Sequence, residues 1–302
     1  MSVKLAPIVL FTYNRLWHVQ ETIKALKKNE YSEQSNLIIF SDGAKCFEDQ
    51  SRVNDVRNYI YTIKGFRQVQ IIERNSNLGL AKSIVRGVTD IINIFGRIIV
   101  IEDDLVTSPY FLRYMNEALT LYAHEEKVAS IHGYIYPISK KLPETFFIKG
   151  ADCLGWATWK RAWALFQEDA QTLLNELKRR RLTKEFDFNG AYRFTRMLKL
   201  QTSGKSTSWA IKWYASTFLE NRLTLYPGSS LVQHIGNDNT GTNFGARDFL
   251  DVDLAREPIK IGGTTIDEDI SARYFIEDYL RSIKTPLWRS AIEKAKRALI
   301  PN

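Results

Sequence analysis

Cysteine is nearly absent from this 302-residue chain: only Cys46 and Cys153 occur. Neither lies in a Cys-x-x-Cys pair or among histidines, so a disulfide framework is excluded and a zinc site has no sequence support. Two free thiols are the expected state, with one bridge between them as the alternative. Long hydrophobic runs are missing too. The opening run Ile8–Phe11 is too short for the core of a secretory signal. No stretch reaches the roughly 18 apolar residues that a membrane-spanning helix needs. The expectation is a cytoplasmic protein, neither exported by a classical signal nor integral to a membrane. There is no internal repeat and no low-complexity segment.

What is present is an ordinary globular composition, 44% hydrophobic and 25% charged, with a net charge of +8 and a pI near 9.3. That length and apolar content allow a sizeable core. The basic balance favours anionic partners such as nucleotides, nucleic acid or acidic lipid. Nucleic acid is disfavoured, because the basic residues read as dispersed or terminal and no recognition module is visible.

Periodicity over the first hundred residues alternates between strand and helix. Pro7–Thr12 is a continuous apolar run, as a strand buried on both faces requires. Leu16, Val19, Ile23 and Leu26 then fall on one helical stripe. Further strands are expected at Leu37–Phe40, closed by the turn Ser41-Asp42-Gly43, at Val69–Ile72 and at Ile98–Ile101, with a second helix over Leu78–Phe95. Four strands with helical crossovers predict an α/β fold, a mostly parallel central sheet flanked by helices with ligands at the strands' carboxyl ends.

Beyond residue 110 the pattern loosens. Tyr110–Ala123 reads as helix and Val128–Tyr136 as strand, and the spacing of Trp156, Trp159 and Trp163 puts them on one side of a helix. A basic helix through Lys178–Arg181, a helix over Trp209–Leu219, turn and strand over Tyr226–Ile235 and a polar loop over Gly236–Gly245 follow. Residues 281–302 hold six Lys or Arg and one Glu. Trp288, Ile292, Ala295 and Leu299 there form the stripe of a basic amphipathic helix. It suits a peripheral membrane contact through residues 285–302, or docking on the protein's own body.

The strand ending at Ile101 runs straight into Glu102-Asp103-Asp104. Three adjacent acids repel one another and cost stability unless a cation or basic groups offset them. At a strand's carboxyl end they suit a hard divalent ion, Mg²⁺ or Mn²⁺, which takes oxygen ligands and keeps substrate phosphates in its shell. A metal so held stabilises a departing nucleoside diphosphate. The alternative is a solvated acidic turn.

The order Pro7-Ile-Val-Leu-Phe-Thr-Tyr-Asn-Arg15, then Ser41-Asp42, then Glu102-Asp-Asp-Leu105 with Ser108-Pro-Tyr-Phe111 resembles the GT-A (Rossmann-like) glycosyltransferases, in particular family 2-like bacterial enzymes. It is more distantly similar to the N-acetylglucosaminyltransferase I family, whose Leu-Gly-Trp acceptor-side segment resembles Leu154-Gly155-Trp156. The likeness spans roughly residues 7–245. It implies a catalytic domain over 1–245, a nucleotide-sugar half to residue 110 and an acceptor half beyond it, followed by a 246–302 extension.

The same resemblance implies roles. Thr12, Asn14 and Arg15 would line the nucleotide and its diphosphate, Asp42 the base or ribose, and Asn77, Gly79 and Lys82 the donor side. Asp104 would ligate Mn²⁺ or Mg²⁺, His234 would complete the metal shell, and Asp103 would lie nearer the donor sugar or ribose. Trp156 would contact substrate. The family's Trp-Asp-Asp-Trp segment has its counterpart in Ser206–Trp213, which carries no acid. That leaves the catalytic base to a substitute, Asp152 first and Asp238 second.

The implied activity is transfer from a nucleotide-sugar, a UDP-sugar in first place, to a glycan or lipid-linked acceptor in bacterial surface polysaccharide or glycoprotein synthesis at the inner face of the membrane. A catalytically inert glycan- or nucleotide-binding relative is the alternative. A sugar nucleotidyltransferase is disfavoured, because no glycine-rich basic loop follows the first strand.

Overall fold

A computed structural model describes residues 5–238 and 251–283. In chain order the elements are β1 (Ile8–Thr12), α1 (Leu16–Leu26), β2 (Asn36–Ser41), α2 (Gln50–Ile60), β3 (Gln68–Glu73), α3 (Leu80–Phe95), β4 (Arg97–Glu102), β5 (Leu105–Thr107) and α4 (Phe111–Leu121). There follow β6 (Val128–His132), β7 (Thr145–Ile148), β8 (Trp156–Trp159), α5 (Lys160–Trp163), α6 (Ala170–Arg179), α7 (Thr183–Phe186), α8 (Phe194–Thr202), α9 (Ala210–Leu219), β9 (Leu223–Pro227), β10 (Val232–His234) and α10 (Ile270–Ser282).

The protein is a mixed α/β fold around one eight-stranded sheet, ordered β3-β2-β1-β4-β8-β6-β9-β7, with β10 and β5 forming a separate two-stranded ribbon. The first four strands are parallel. Beyond β4 the sheet turns mixed: β8 is antiparallel to β4 and to β6, β9 is parallel to β6, and β7 is antiparallel to β9.

Strand alternation sorts the core into two layers. Ile8 and Leu10 of β1 and Ile99 and Ile101 of β4 face one layer, with Val19 and Ile23 of α1, Val56 of α2 and Met115 of α4. Val9, Phe11, Ile98 and Val100 face the other, with Ile84 and Val88 of α3, Leu177 of α6, Trp213 of α9 and Ile276 of α10. Gly87 of α3 sits hard against this sheet face, where an added Cβ would come within 2.7 Å of the Phe11 ring.

The helix expected through the tryptophan block is corrected by the structure. Trp156–Trp159 is strand β8, paired through Val100↔Trp156 and Arg97↔Trp159. Trp156 and Trp159 therefore enter opposite core layers. Spacings of three and four fit a helical stripe, yet a slot between β4 and β6 takes the segment as strand. Two shorter differences follow the same logic. The strand expected to Tyr136 ends at His132, and the expected Tyr226–Ile235 unit splits into β9 and β10.

Both cysteines are free thiols. Among the described residues no helix is long and apolar enough to cross a membrane. The described part of the 246–302 extension packs onto the body: Asp269 N–H donates to Phe147 O at 2.7 Å, and Ser108 Oγ donates to Ala255 O at 2.7 Å. The amphipathic stretch over 285–302 and most of the Gly236–Gly245 loop lie outside the described residues.

Candidate active site

The carboxyl ends of β1 and β4 lie side by side, with Phe11 opposite Glu102. Their continuations build the site. Arg15, just past β1, reaches Asp103 Oδ1 and, at 2.8 Å, Asp104 Oδ2 with one guanidinium nitrogen. Its other terminal nitrogen, Nη1, is buried without a hydrogen-bond partner among the described residues. From α1, Thr22 Oγ1 donates to Asp103 O at 2.8 Å and fixes the acidic turn.

The ribbon supplies the imidazole. β10 pairs antiparallel with β5 so that His234 stands opposite Leu105, and Ile235 N–H donates to Asp104 O at 2.9 Å. His234 Nε2 then lies 3.4 Å from Asp104 Oδ2, while Nδ1 is 3.1 Å from Asn237 Oδ1. Gly236 packs against this pair. An added Cβ would overlap Asp104 Oδ2 and come within 3.0 Å of His234 Nε2. Asp238, the second base candidate, has its Oδ2 3.3 Å from His18 Nε2 of α1. The structure thus brings Arg15, Asp103, Asp104, His234 and Asp238 into one cluster from three distant stretches of chain.

Electrostatics separate the acids. Burial works against the Asp104 carboxylate, but the hydrogen bond from His234 and the charge of Arg15 outweigh it and hold the pKa below the usual carboxylate value. Burial raises Asp103 and, more strongly, Glu102, where repulsion from Asp104 and Asp103 adds to it. One carboxylate, that of Asp104, is therefore kept ionised, with an imidazole beside it. A carboxylate and an imidazole fit Mn²⁺ or Mg²⁺ with the remaining positions left to phosphate and water. Among the described residues no group of three or more His, Cys, Asp or Glu stands ready to hold a metal.

The other donor-side candidates form a frame. Thr12 is buried, and its hydroxyl donates to Phe40 O at 3.3 Å. Asn14 Nδ2 donates to Asp49 Oδ1 at 3.1 Å, and Tyr13 OH to Asp49 Oδ2 at 2.6 Å. Asp42 is buried, and its carboxylate accepts the N–H groups of Gly43, Leu78 and Gly79 at 3.0–3.2 Å. The carboxylate thus ties the turn after β2 to the segment that leads into α3. Asn77 Nδ2 donates to Gly43 O at 2.8 Å. Gly79 is needed for its backbone, φ +74°, since a Cβ there would meet nothing within 4 Å. Lys82 is exposed.

On the acceptor side, Asp152 is held by two phenols: Tyr226 OH donates to Oδ2 at 2.8 Å and Tyr136 OH to Oδ1 at 3.1 Å. Burial raises its pKa, and the two hydrogen bonds restrain the rise. The Cys153 thiol lies within electrostatic reach of both Asp152 and Glu102.

Trp156 does not reach a substrate surface, which corrects the expectation for it. It is 1% exposed and packs its ring against Trp163, Trp209 and Trp213, with centroids 5.3–6.0 Å apart. Asp49, His18, Tyr136, Tyr226 and Gly236 were missed by the sequence reading. Of these only Gly236 carried a local signal, lying two residues after His234.

No family model matches the chain, and no curated protein matches it. Solved structures with related architecture include S. aureus TarS residues 1–349, at TM-score 0.45 and 12% identity, covering 77% of this chain and 61% of that one. The mannosyltransferase PcManGT from Pyrobaculum calidifontis, in complex with GDP-Man and Mn²⁺, aligns at TM-score 0.40 and 9% identity over 71% of this chain and 74% of that one. A longer S. aureus TarS structure aligns at TM-score 0.37 and 11% identity over 55% of this chain, and the match spans only 29% of that one. Likeness at this level transfers no residue role.

Proposed function

We propose that this protein is a glycosyltransferase that moves a sugar from a nucleotide-diphosphate-sugar to a hydroxyl of a glycan or lipid-linked acceptor, assisted by Mn²⁺ or Mg²⁺. The observation that carries the reading is the convergence of Asp104, His234 and Arg15 at the carboxyl ends of β1 and β4, where a parallel sheet binds its ligand. Asp104 and His234 would hold the metal, which when bound would neutralise charge on the departing diphosphate.

The chain's own residues do the rest. Arg15 has a spare buried nitrogen for a diphosphate oxygen, and its bonds to both aspartates fix its orientation. Tyr13 and Asn14, braced by Asp49, set the loop that receives the nucleotide. Asp152 is the base for the acceptor hydroxyl: burial raises its basicity and the two tyrosines fix its oxygens. A UDP-sugar is the first donor to try.

The test is incubation of the pure protein with UDP-, GDP-, dTDP- and CMP-linked sugars, with Mn²⁺ and with a chelator, reading nucleotide release. Slow, metal-dependent release from one donor supports the reading. No release from any donor favours the inert binding relative.

A further inference from the structure

The basic residues, read from the sequence as dispersed or terminal, are concentrated in one internal stretch, which corrects that expectation. Between Lys178 and Lys212 lie ten lysines and arginines against two acids, Glu185 and Asp187, a net of +8. That equals the net charge of the whole chain, so everything outside this stretch sums to zero. The stretch comprises the end of α6, then α7, α8 and the start of α9, all inserted between β8 and β9. α6 and α8 pack side by side and bury Leu173, Leu174, Leu177 and Leu198, which leaves their polar faces to solvent.

Lys178, Arg179, Arg181, Arg193, Arg196 and Lys199 are all exposed. Glu176 engages Arg179 and Arg180. Arg181, Arg193, Arg196 and Lys199 have no acidic partner among the described residues. So many like charges on one layer repel one another, and a partner of opposite sign relieves that repulsion.

We infer that this layer docks an anionic glycan chain, bearing carboxylates or phosphates, as the acceptor of the transferase; the inference rests on the reading given above. The layer borders the proposed base. Lys149, three residues before Asp152, donates from Nζ to Glu185 Oε1 of α7 at 2.9 Å. Tyr192, next to Arg193, lies within electrostatic reach of Tyr136, which donates to Asp152. A chain lying across α8 would therefore lead toward the Asp152 carboxylate. Arginine forks match carboxylate and phosphate geometry. A bilayer is the poorer fit, because no large apolar side chain is exposed between residues 170 and 212 to enter the headgroup boundary.

The test is fluorescence anisotropy without nucleotide, using a labelled oligogalacturonate octamer, a polyphosphate of similar charge and a neutral dextran oligosaccharide of the same length. Pelleting on phosphatidylglycerol vesicles runs in parallel. Wild type is compared with the quadruple variant Arg179→Glu, Arg193→Glu, Arg196→Glu, Lys199→Glu and with the milder pair Arg193→Gln, Arg196→Gln.

The expected result is octamer or polyphosphate binding that weakens with salt, falls about tenfold or more in the quadruple variant and falls less in the pair. Melting temperature and UDP affinity stay unchanged in both variants. Anionic oligomers that bind no better than dextran, or bind both variants as wild type, overturn the inference. Vesicle pelleting without oligomer binding also overturns it, in favour of a membrane surface. Failure of UDP, GDP, dTDP and CMP alike to bind wild type sinks the transferase reading and is distinguishable, because the oligomer titrations contain no nucleotide.

Discussion

Replacing Gly236 by alanine adds one methyl group at the tightest point of the site. The new Cβ overlaps Asp104 Oδ2 and lies 3.0 Å from His234 Nε2. Neither neighbour yields easily. Arg15 holds the Asp104 carboxylate at 2.8 Å, and Asn237 together with the β5–β10 ladder holds His234. Something must shift, and the 3.4 Å pair opens. Overpacking of this kind costs about 1–3 kcal/mol. A cost of ~2 kcal/mol lowers the melting temperature by roughly 3 °C in a chain of 302 residues.

If Asp104 and His234 are metal ligands, the Mn²⁺-dependent part of UDP affinity falls as well, by about tenfold for each ~1.4 kcal/mol lost. Gly79→Ala is the control. Its φ of +74° brings backbone strain, but its Cβ meets nothing within 4 Å. It should lose about 1–3 kcal/mol of stability and keep its metal dependence. The assays are differential scanning fluorimetry and calorimetric titration of UDP with and without Mn²⁺. A Gly236→Ala protein with wild-type stability and wild-type metal dependence would refute the reasoning.

Three further outcomes are expected. Tyr136→Phe and Tyr226→Phe each remove a hydrogen bond that lowers the Asp152 pKa. Because a base works ionised, the acid limb of the rate profile moves to higher pH by about one unit per bond, and an unmoved limb argues against Asp152. Trp156→Ala empties a core position and costs about 3–5 kcal/mol with donor affinity retained in the folded fraction; selective loss of acceptor turnover would restore it as a substrate contact. Burial depresses the His132 pKa to about 3, so below pH ~6.5 the unfolded state binds the extra proton and stability falls by up to about 1.4 kcal/mol per pH unit on acidification. His132→Gln should flatten denaturant-derived stability between pH 7 and 5, and an unchanged slope contradicts the assignment.

The part of the fold that was legible is the part that strand physics writes locally. Parallel strands buried on both faces give unbroken apolar runs, and Ile8–Thr12 and Ile98–Ile101 announced themselves in that way. The tryptophan block failed because period alone does not separate a short strand from a helical turn; pairing with Val100 decided it. Asp103 and Asp104 were legible because acids following an apolar strand are costly without a purpose. The grip of Tyr226 on Asp152 spans 74 residues of sequence, and no local pattern encodes it. Gly236 likewise reads as a loop residue until Asp104 is brought beside it. The clustering of basic charge stood in the sequence, but only the packing of α6 on α8 makes it a surface.

The most direct test of the central claim is calorimetric titration of UDP, GDP, dTDP and CMP, each with and without Mn²⁺, into wild type and Asp104→Ala. The account predicts that one nucleotide binds wild type in a metal-dependent way and that Asp104→Ala loses this binding while its folded baseline is retained. Binding by none of the four, or binding indifferent to both Mn²⁺ and Asp104, would contradict it.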